Sequence, residues 1–217
     1  MYKAIIWDLD GTLIDTSLGI FNSVRYTEQK MNLIPLSDEK LVEYIGPKLL
    51  DSYVKQFSLN KITAEKAVVF HREYGNKKGI YESKVYPGIA EILKVLHKKG
   101  VKMAVATMKP EEMALKILTH FDLAQYFDEI IGMDSENTRN KKINIEIALN
   151  RMEVISNETL MIGDSEHDAK GASDTDVDFV AVTYGFGMKS EREILDSKAK
   201  FIIEGADDLN QLLTLTC

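Results

Sequence analysis

Two carboxylates one residue apart, Asp8 and Asp10, followed by Gly11 and Thr12, are the densest chemistry in this 217-residue chain. In an extended segment residues i and i+2 point to the same side, so this spacing brings both carboxylates toward one spot. Like charges held together are unfavourable unless a cation or a shared proton compensates them. A hard divalent cation with oxygen ligands suits such a pair, and Mg²⁺ is the usual choice. Gly11 lets the backbone turn tightly away, and Thr12 sets a hydroxyl beside the acids. Either aspartate alone reads as a turn former after a strand; it is the whole string that points to chemistry. Thr107, Lys109, the pair Lys141–Lys142, Asp164 and Asp168 are the other residues of suitable type.

The elements that must position these residues are readable from hydrophobic pattern. Ala4 to Trp7 is a short apolar run, the signature of a strand buried on both faces. Further strands are expected over 101–106, 129–133, 160–162, 179–182 and 200–203, separated by helical segments over 89–99, 111–121 and 143–152 and closed by a helix over 207–213. That alternation predicts an α/β fold, a doubly wound parallel sheet with helices on both faces. Ligands of such sheets sit beyond the carboxyl ends of the strands. Asp8, Asp10, Thr107, Asp164 and Asp168 all fall immediately after expected strands.

From 16 to 83 the pattern is helical instead. Asp15-Thr16-Ser17 supplies N-cap chemistry, and Ile20, Val24, Thr27 and Met31 share a helical face. A second helix start is expected at Ser37-Asp38-Glu39. Gly46-Pro47 breaks that helix and opens the next, through Phe57, since proline is tolerated in a first turn. Thr63 to Tyr74 makes a further amphipathic segment, expected to end near Gly75. The segment reads as a small α-helical domain inserted after the first strand.

Composition narrows the function classes. Hydrophobic residues at 45% and charged ones at 28% describe an ordinary globular protein. A formal charge of −7 argues against a nucleic-acid or anionic-membrane surface as main partner. The one cysteine, Cys217, excludes a disulfide framework within the chain. No apolar run approaches the ~20 residues needed to span a bilayer, and no basic-then-apolar leader precedes the first strand. The cytoplasm is the expected compartment, with a monomer or homodimer as the expected state. The four histidines, His71, His97, His120 and His167, are not spaced as a ligand set.

The string Asp8-Leu9-Asp10-Gly11-Thr12 after an apolar run resembles the first motif of the haloacid dehalogenase superfamily, whose members are mostly aspartate-based, Mg²⁺-dependent phosphohydrolases. Thr107-Met108-Lys109-Pro110, Tyr184-Gly185-Phe186-Gly187 and Tyr44-Ile45-Gly46-Pro47-Lys48-Leu49-Leu50 resemble elements of its phosphoglycolate phosphatase-like branch. The resemblance implies a catalytic core over 1–15 and 84–217 and a helical cap of the C1 type over 16–83. It implies a phosphatase acting on a small phosphorylated metabolite through an aspartyl-phosphate. Asp8 is then the nucleophile and Asp10 the general acid and base. Mg²⁺ is held by the Asp8 side chain, the Asp10 backbone carbonyl and Asp164, with Asp168 orienting that shell. Gly11, Thr12, Thr107 and Met108 surround the phosphate, and Lys109 and Lys48 face substrate or cap.

A motif lysine is also implied, to hold the nucleophile and neutralise the phosphoryl group. Many relatives follow it with proline-x-proline, whereas this chain has Lys141-Lys142-Ile143-Asn144. Counting back from Gly163-Asp164 favours Lys141, with Lys142 as the alternative register and Arg139 as a possible phosphate ligand. A β-phosphoglucomutase-like isomerase shares every core residue. A dehalogenase or phosphonate hydrolase lacks an acid at the position of Asp10. A phospho-receiver signalling domain also combines Asp, Thr, Lys and Mg²⁺, but it distributes its acids differently and carries no helical insertion.

Overall fold

A computed structural model describes every residue from 1 to 217 except Asn137. The chain divides into two compact units, Met1–Ile14 with Val85–Cys217, and Asp15–Lys84. It opens with β1 (Ala4–Trp7) and β2 (Ile14–Asp15). The inserted helices are α1 (Ser17–Met31), α2 (Asp38–Val42), α3 (Leu49–Phe57) and α4 (Lys61–Lys77), after which β3 (Lys84–Val85) returns the chain. The alternation then runs α5 (Ile89–Lys98), β4 (Lys102–Pro110), α6 (Glu111–His120), β5 (Glu129–Met133) and α7 (Lys141–Met152). It finishes with β6 (Thr159–Gly163), α8 (Glu166–Ser173), β7 (Asp178–Val182), α9 (Glu191–Asp196), β8 (Phe201–Ile203) and α10 (Ala206–Thr216).

In the larger unit, six parallel strands form one sheet in the order β5-β4-β1-β6-β7-β8. All four residues of β1 are fully buried, as a central strand between two helical layers must be. Its neighbours are β4 and β6, so the ends of three adjacent strands carry Asp8, Thr107 and Asp164 to one edge of the sheet. One core packs Ile6, Ala104, Ile131 and Met161 of the sheet against Ile145, Ala148 and Met152 of α7 and Ala169 and Ala172 of α8. The inserted unit has its own core, in which Val24, Leu41, Tyr44, Tyr53, Ala64 and Ala67 are buried. Tyr53 Oη and His71 Nδ1 lie 3.0 Å apart within it.

Local structure departs from the sequence reading at four places. First, α3 begins at Leu49 with Lys48 as its N-cap, so Pro47 precedes the helix instead of opening it. Gly46, at φ 100°, takes up the turn. Second, Gly75 does not end α4 but lies buried inside it. Glycine in a helix costs only ~1 kcal/mol relative to alanine, which packing against α1 overrides. Third, β4 continues past Ala106 to Pro110, with a register shift against β5 between those residues. Thr107 to Lys109 therefore sit in a strand irregularity, a common device for re-aiming side chains. Fourth, the short α8 and α9 lack a long apolar stripe and are not anticipated, although Ser165 with Asp168 and Ser190 with Glu193 form capping boxes around their first turns. Among the described residues no helix is long and apolar enough to cross a membrane.

Candidate active site

Lys141 is the hub of the site. It opens α7, whose first turn is fixed by Asn140 accepting from the Ile143 N–H. From there its stem runs inward, and the side chain is only 6% exposed. Nζ lies 2.6 Å from Asp8 Oδ1, 2.6 Å from Asp168 Oδ1 and 2.8 Å from the Ala106 carbonyl oxygen. Nζ donates hydrogen bonds to the Asp8 oxygen and the Ala106 carbonyl, and it meets Asp168 Oδ1 as an ion pair only. Burial works against its charge, but Asp168 and Asp8 outweigh burial and raise its pKa. Lys142 instead points outward to Glu146, at 3.6 Å.

Three carboxylates gather around that ammonium. One oxygen from each of Asp8, Asp164 and Asp168 falls within a 4.8 Å cluster. Asp168 sits in the first turn of α8, where its Oδ2 accepts from the Ser165 N–H and hydroxyl at 3.0 and 2.7 Å. Its other oxygen meets Lys141, so Asp168 is committed on both sides. Asp164, just past β6, accepts at Oδ2 from the Phe186 and Gly187 N–H groups at 2.6 and 2.9 Å. The glycines around it are needed for room. A Cβ on Gly11 would stand 2.3 Å from Asp164 Oδ2, and one on Gly185 2.4 Å from the same atom. Gly11 also has φ 86°, which disfavours any side chain there.

The donor set fits a hard divalent cation. Lys141 takes Oδ1 of Asp8 and two amides take Oδ2 of Asp164, which leaves Asp8 Oδ2 and Asp164 Oδ1 for an outside ligand among the described residues. Burial, then the neighbouring Asp168, push the Asp8 carboxyl above its usual range, and the same two causes raise Asp164. Three buried acids around one ammonium are short of positive charge, the condition a bound cation relieves.

Asp10 lies apart from this cluster's side chains and has its own lysine. Lys109 Nζ is 2.9 Å from Asp10 Oδ1, with the two side chains 13% and 11% exposed. Lys109 is thus paired to Asp10, where the sequence suggested substrate or cap. Thr107 is buried, and its hydroxyl accepts from the Lys109 N–H at 3.2 Å. Met108 lies half-buried between them. Thr12 is fully buried; its hydroxyl has no partner among the described residues, and its carbonyl accepts from the Tyr184 hydroxyl at 2.9 Å.

One expectation changes. Arg139 is not directed at the cluster: it donates to Glu111 Oε2 at 2.9 Å and to the Gly132 carbonyl at 3.1 Å. His167 is an exposed residue of the first turn of α8. Lys48 is exposed and belongs to the inserted unit.

Asn144 is a participant that the sequence reading passed over. It is fully buried one turn after Lys141, and its Nδ2 donates to the Thr107 carbonyl at 2.8 Å. With Lys141 on the Ala106 carbonyl, α7 grips two successive peptide groups at the end of β4. The signal was present, because 141, 144, 145 and 148 share one helical face on which two polar residues interrupt an apolar stripe.

A family model described as haloacid dehalogenase-like hydrolase matches residues 5–182. A 5'-nucleotidase of Pseudomonas aeruginosa is 36% identical over 191 residues, 88% of this chain and 86% of that protein. A phosphoglycolate phosphatase of Pseudomonas fluorescens is 30% identical over 220 residues, 97% of this chain and 78% of that protein. The crystal structure of a predicted phosphatase from Clostridium acetobutylicum superposes with a TM-score of 0.90 at 35% identity, covering 99% of each chain. Because the family match runs unbroken from β1 to the end of β7, taking in the acidic cluster and its lysine, the chain belongs to the haloacid dehalogenase-like hydrolases and is an enzyme of their phosphatase type.

Proposed function

We propose that this enzyme hydrolyses a small phosphomonoester with Mg²⁺ and passes through an aspartyl-phosphate on Asp8. The observation that carries the reading is Lys141, which ties Asp8 to Asp168 beside Asp164 in a buried, acid-rich cluster. Asp8 Oδ2 and Asp164 Oδ1, with the Asp10 carbonyl, would hold the cation. When bound, Mg²⁺ supplies charge neutralisation for the phosphoryl oxygens.

The chain's own residues do the rest. A carboxylate oxygen of Asp8 forms a bond to phosphorus as the bond to the leaving alcohol oxygen breaks. Asp10 gives that oxygen its proton. Water then attacks the phosphorus of the aspartyl-phosphate, Asp10 takes a proton from the water, and phosphate leaves with Asp8 restored. Lys141 and the Thr107 stretch stabilise charge on the transferring group. These residues all lie in the unit formed by Met1–Ile14 and Val85–Cys217, so preference among leaving groups is assigned to the inserted helices. Two relatives of comparable identity are named for a nucleotide and for phosphoglycolate, which supports a shared core with a variable substrate.

A screen of phosphorylated metabolites with purified protein and Mg²⁺ tests the reading. Phosphate release from a small monoester, stopped by EDTA, is expected. Asp8→Asn should abolish both turnover and covalent phosphorylation. Full activity in a chelated, metal-free sample would remove the metal from the scheme, and phosphate labelling that survived in Asp8→Asn would remove Asp8 as nucleophile.

A further inference from the structure

Resting on that reading, we propose that Tyr184 is a positioning residue for the cation site. Its hydroxyl locks the turn after β1 to the loop that wraps Asp164, and so sets the affinity for Mg²⁺ and the preference for it over a larger cation. The ligands in that reading come from the ends of two neighbouring strands, Asp8 and the Asp10 carbonyl after β1 and Asp164 after β6. Mg²⁺ demands near-ideal octahedral geometry, whereas Ca²⁺ accepts more ligands in a looser arrangement. The relative placement of the two strand ends therefore decides how well Mg²⁺ is held.

Residues 183–188 connect those ends. They leave β7 beside β8, where the Thr183 N–H donates to the Ile203 carbonyl at 2.9 Å. They then close around Asp164. The Phe186 and Gly187 N–H groups donate to its Oδ2, and the Met188 N–H donates to its carbonyl at 2.8 Å. A Cβ on Gly185 would stand 2.4 Å from Asp164 Oδ2 and 2.4 Å from the Gly11 carbonyl oxygen, so this one residue lies against both strand ends. Tyr184 fastens the loop there. In the sheet β6 separates β7 from β1, yet the Tyr184 hydroxyl donates to the Thr12 carbonyl at 2.9 Å. Its ring is seated against that of Tyr86, with centroids 4.7 Å apart.

The turn that Tyr184 grips is tightly bonded within itself. The Thr12, Leu13 and Ile14 N–H groups all donate to the Leu9 carbonyl, at 3.4, 3.1 and 3.0 Å, and the Gly11 N–H donates to the Ile14 carbonyl at 3.0 Å. Residues 9–14 therefore shift together, and a hold on the Thr12 carbonyl is a hold on the Asp10 carbonyl. One phenol thus ties a backbone ligand from β1 to the loop whose amides orient the carboxylate from β6. Groups that orient ligands from behind govern metal affinity in this way.

The test uses the full chain and the metals alone. Melting temperature is followed against Mg²⁺ and, separately, Ca²⁺ for wild type, Tyr184→Phe and Tyr2→Phe, each starting from EDTA-treated protein. Tyr184→Phe keeps the ring against Tyr86 and loses only the hydroxyl. Tyr2→Phe loses a hydroxyl that donates to Asp178, and so controls for the loss of one hydrogen bond. In Tyr184→Phe the Kd for Mg²⁺ should rise about tenfold, and that for Ca²⁺ by no more than about threefold. With p-nitrophenyl phosphate, the Mg²⁺ concentration that gives half the maximal rate should rise in step with the Mg²⁺ Kd. At saturating Mg²⁺, kcat should stay within about threefold of wild type. Tyr2→Phe should keep both metal affinities. Unchanged Mg²⁺ affinity in Tyr184→Phe, equal losses for the two metals, or the same weakening in Tyr2→Phe would overturn the role of Tyr184. Failure of the proposed function looks different: wild type itself would then show no Mg²⁺-dependent rise in melting temperature and release no nitrophenolate.

Discussion

A cation that touches two acids and a carbonyl in the interior is held by all of them, and removing it leaves each of them exposed to the others. Lys141→Met would strand Asp8 and Asp168 as buried neighbours with no ammonium between them. Breaking such a group from one side costs about 3–5 kcal/mol, so a large drop in the urea midpoint is expected together with loss of turnover. Lys142→Met removes only an exposed pair to Glu146, worth at most ~0.5 kcal/mol, and should leave the rate near wild type. Denaturation curves and steady-state rates on the two variants check the contrast; if Lys142→Met were the inactive one, the motif lysine would have to be reassigned. This contrast also marks how far single residues were legible. Two adjacent lysines at a helix start look alike in sequence, and only the direction of the helix face tells which stem points inward. Asn144 was passed over for a related reason, since an asparagine within a helical stretch reads as solvated until its burial is known.

Elements were legible where periodicity was strong and obscure where it was short. The apolar runs of β1, β5, β6 and β7 and the helices α5, α6 and α7 follow directly from pattern. The short α9 and the continuation of β4 through Thr107-Met108-Lys109 do not, because capping and strand pairing fix them, not an apolar stripe. The β4 end is also where element geometry meets chemistry. Asn144→Asp would place a carboxylate oxygen against the Thr107 carbonyl in place of an N–H donor. An unsatisfied buried group costs about 1–3 kcal/mol, so Asn144→Asp should be less stable than Asn144→Ala and bind inorganic phosphate more weakly in a competition assay. A second prediction concerns the far edge of the sheet, where Asp178 of β7 accepts at Oδ2 from Lys200 and Tyr2 at 2.7 and 2.6 Å. The Lys200 contact first, then Tyr2, hold the Asp178 carboxyl below its usual range. A depressed folded pKa stabilises the fold above the unfolded value and is lost as pH falls through the folded one, here below about pH 4. The Lys200 and Asp178 side chains are 50% and 37% exposed, so the effect should stay under about 1 kcal/mol. Asp178→Asn should flatten the acid limb of stability against pH by that small amount and leave activity unchanged.

At the scale of the whole molecule, two units carry separate cores, and the proposed function assigns the chemistry to the larger unit and substrate choice to the inserted one. Mg²⁺ binding to the folded cluster should raise the melting temperature in proportion to RT ln(1 + [Mg²⁺]/Kd), about 2.7 kcal/mol at a hundredfold excess over Kd. Chelation should reverse that shift, and Asp164→Asn should remove it. The inserted unit calls for a separate test, because the acids, their lysine and the Thr107 stretch all lie outside it. That core machinery reads the phosphate and little beyond it, so discrimination between leaving groups has to be supplied by residues that meet the remainder of the substrate. Lys48 is the residue of the insertion best suited to an acidic substrate. It is exposed, it stands at the N-cap of α3, and its carbonyl is bonded to the Asp51 and Ser52 N–H groups that open that helix. A lysine at a helix N-terminus adds a mobile positive charge to a fixed one. Lys48→Ala should therefore lower kcat/KM for acidic phosphoesters by about 1–3 kcal/mol, the worth of one charge-assisted hydrogen bond. It should leave the Mg²⁺-induced shift in melting temperature unchanged and slow p-nitrophenyl phosphate much less. Equal losses on acidic and neutral esters would place substrate choice somewhere other than this turn.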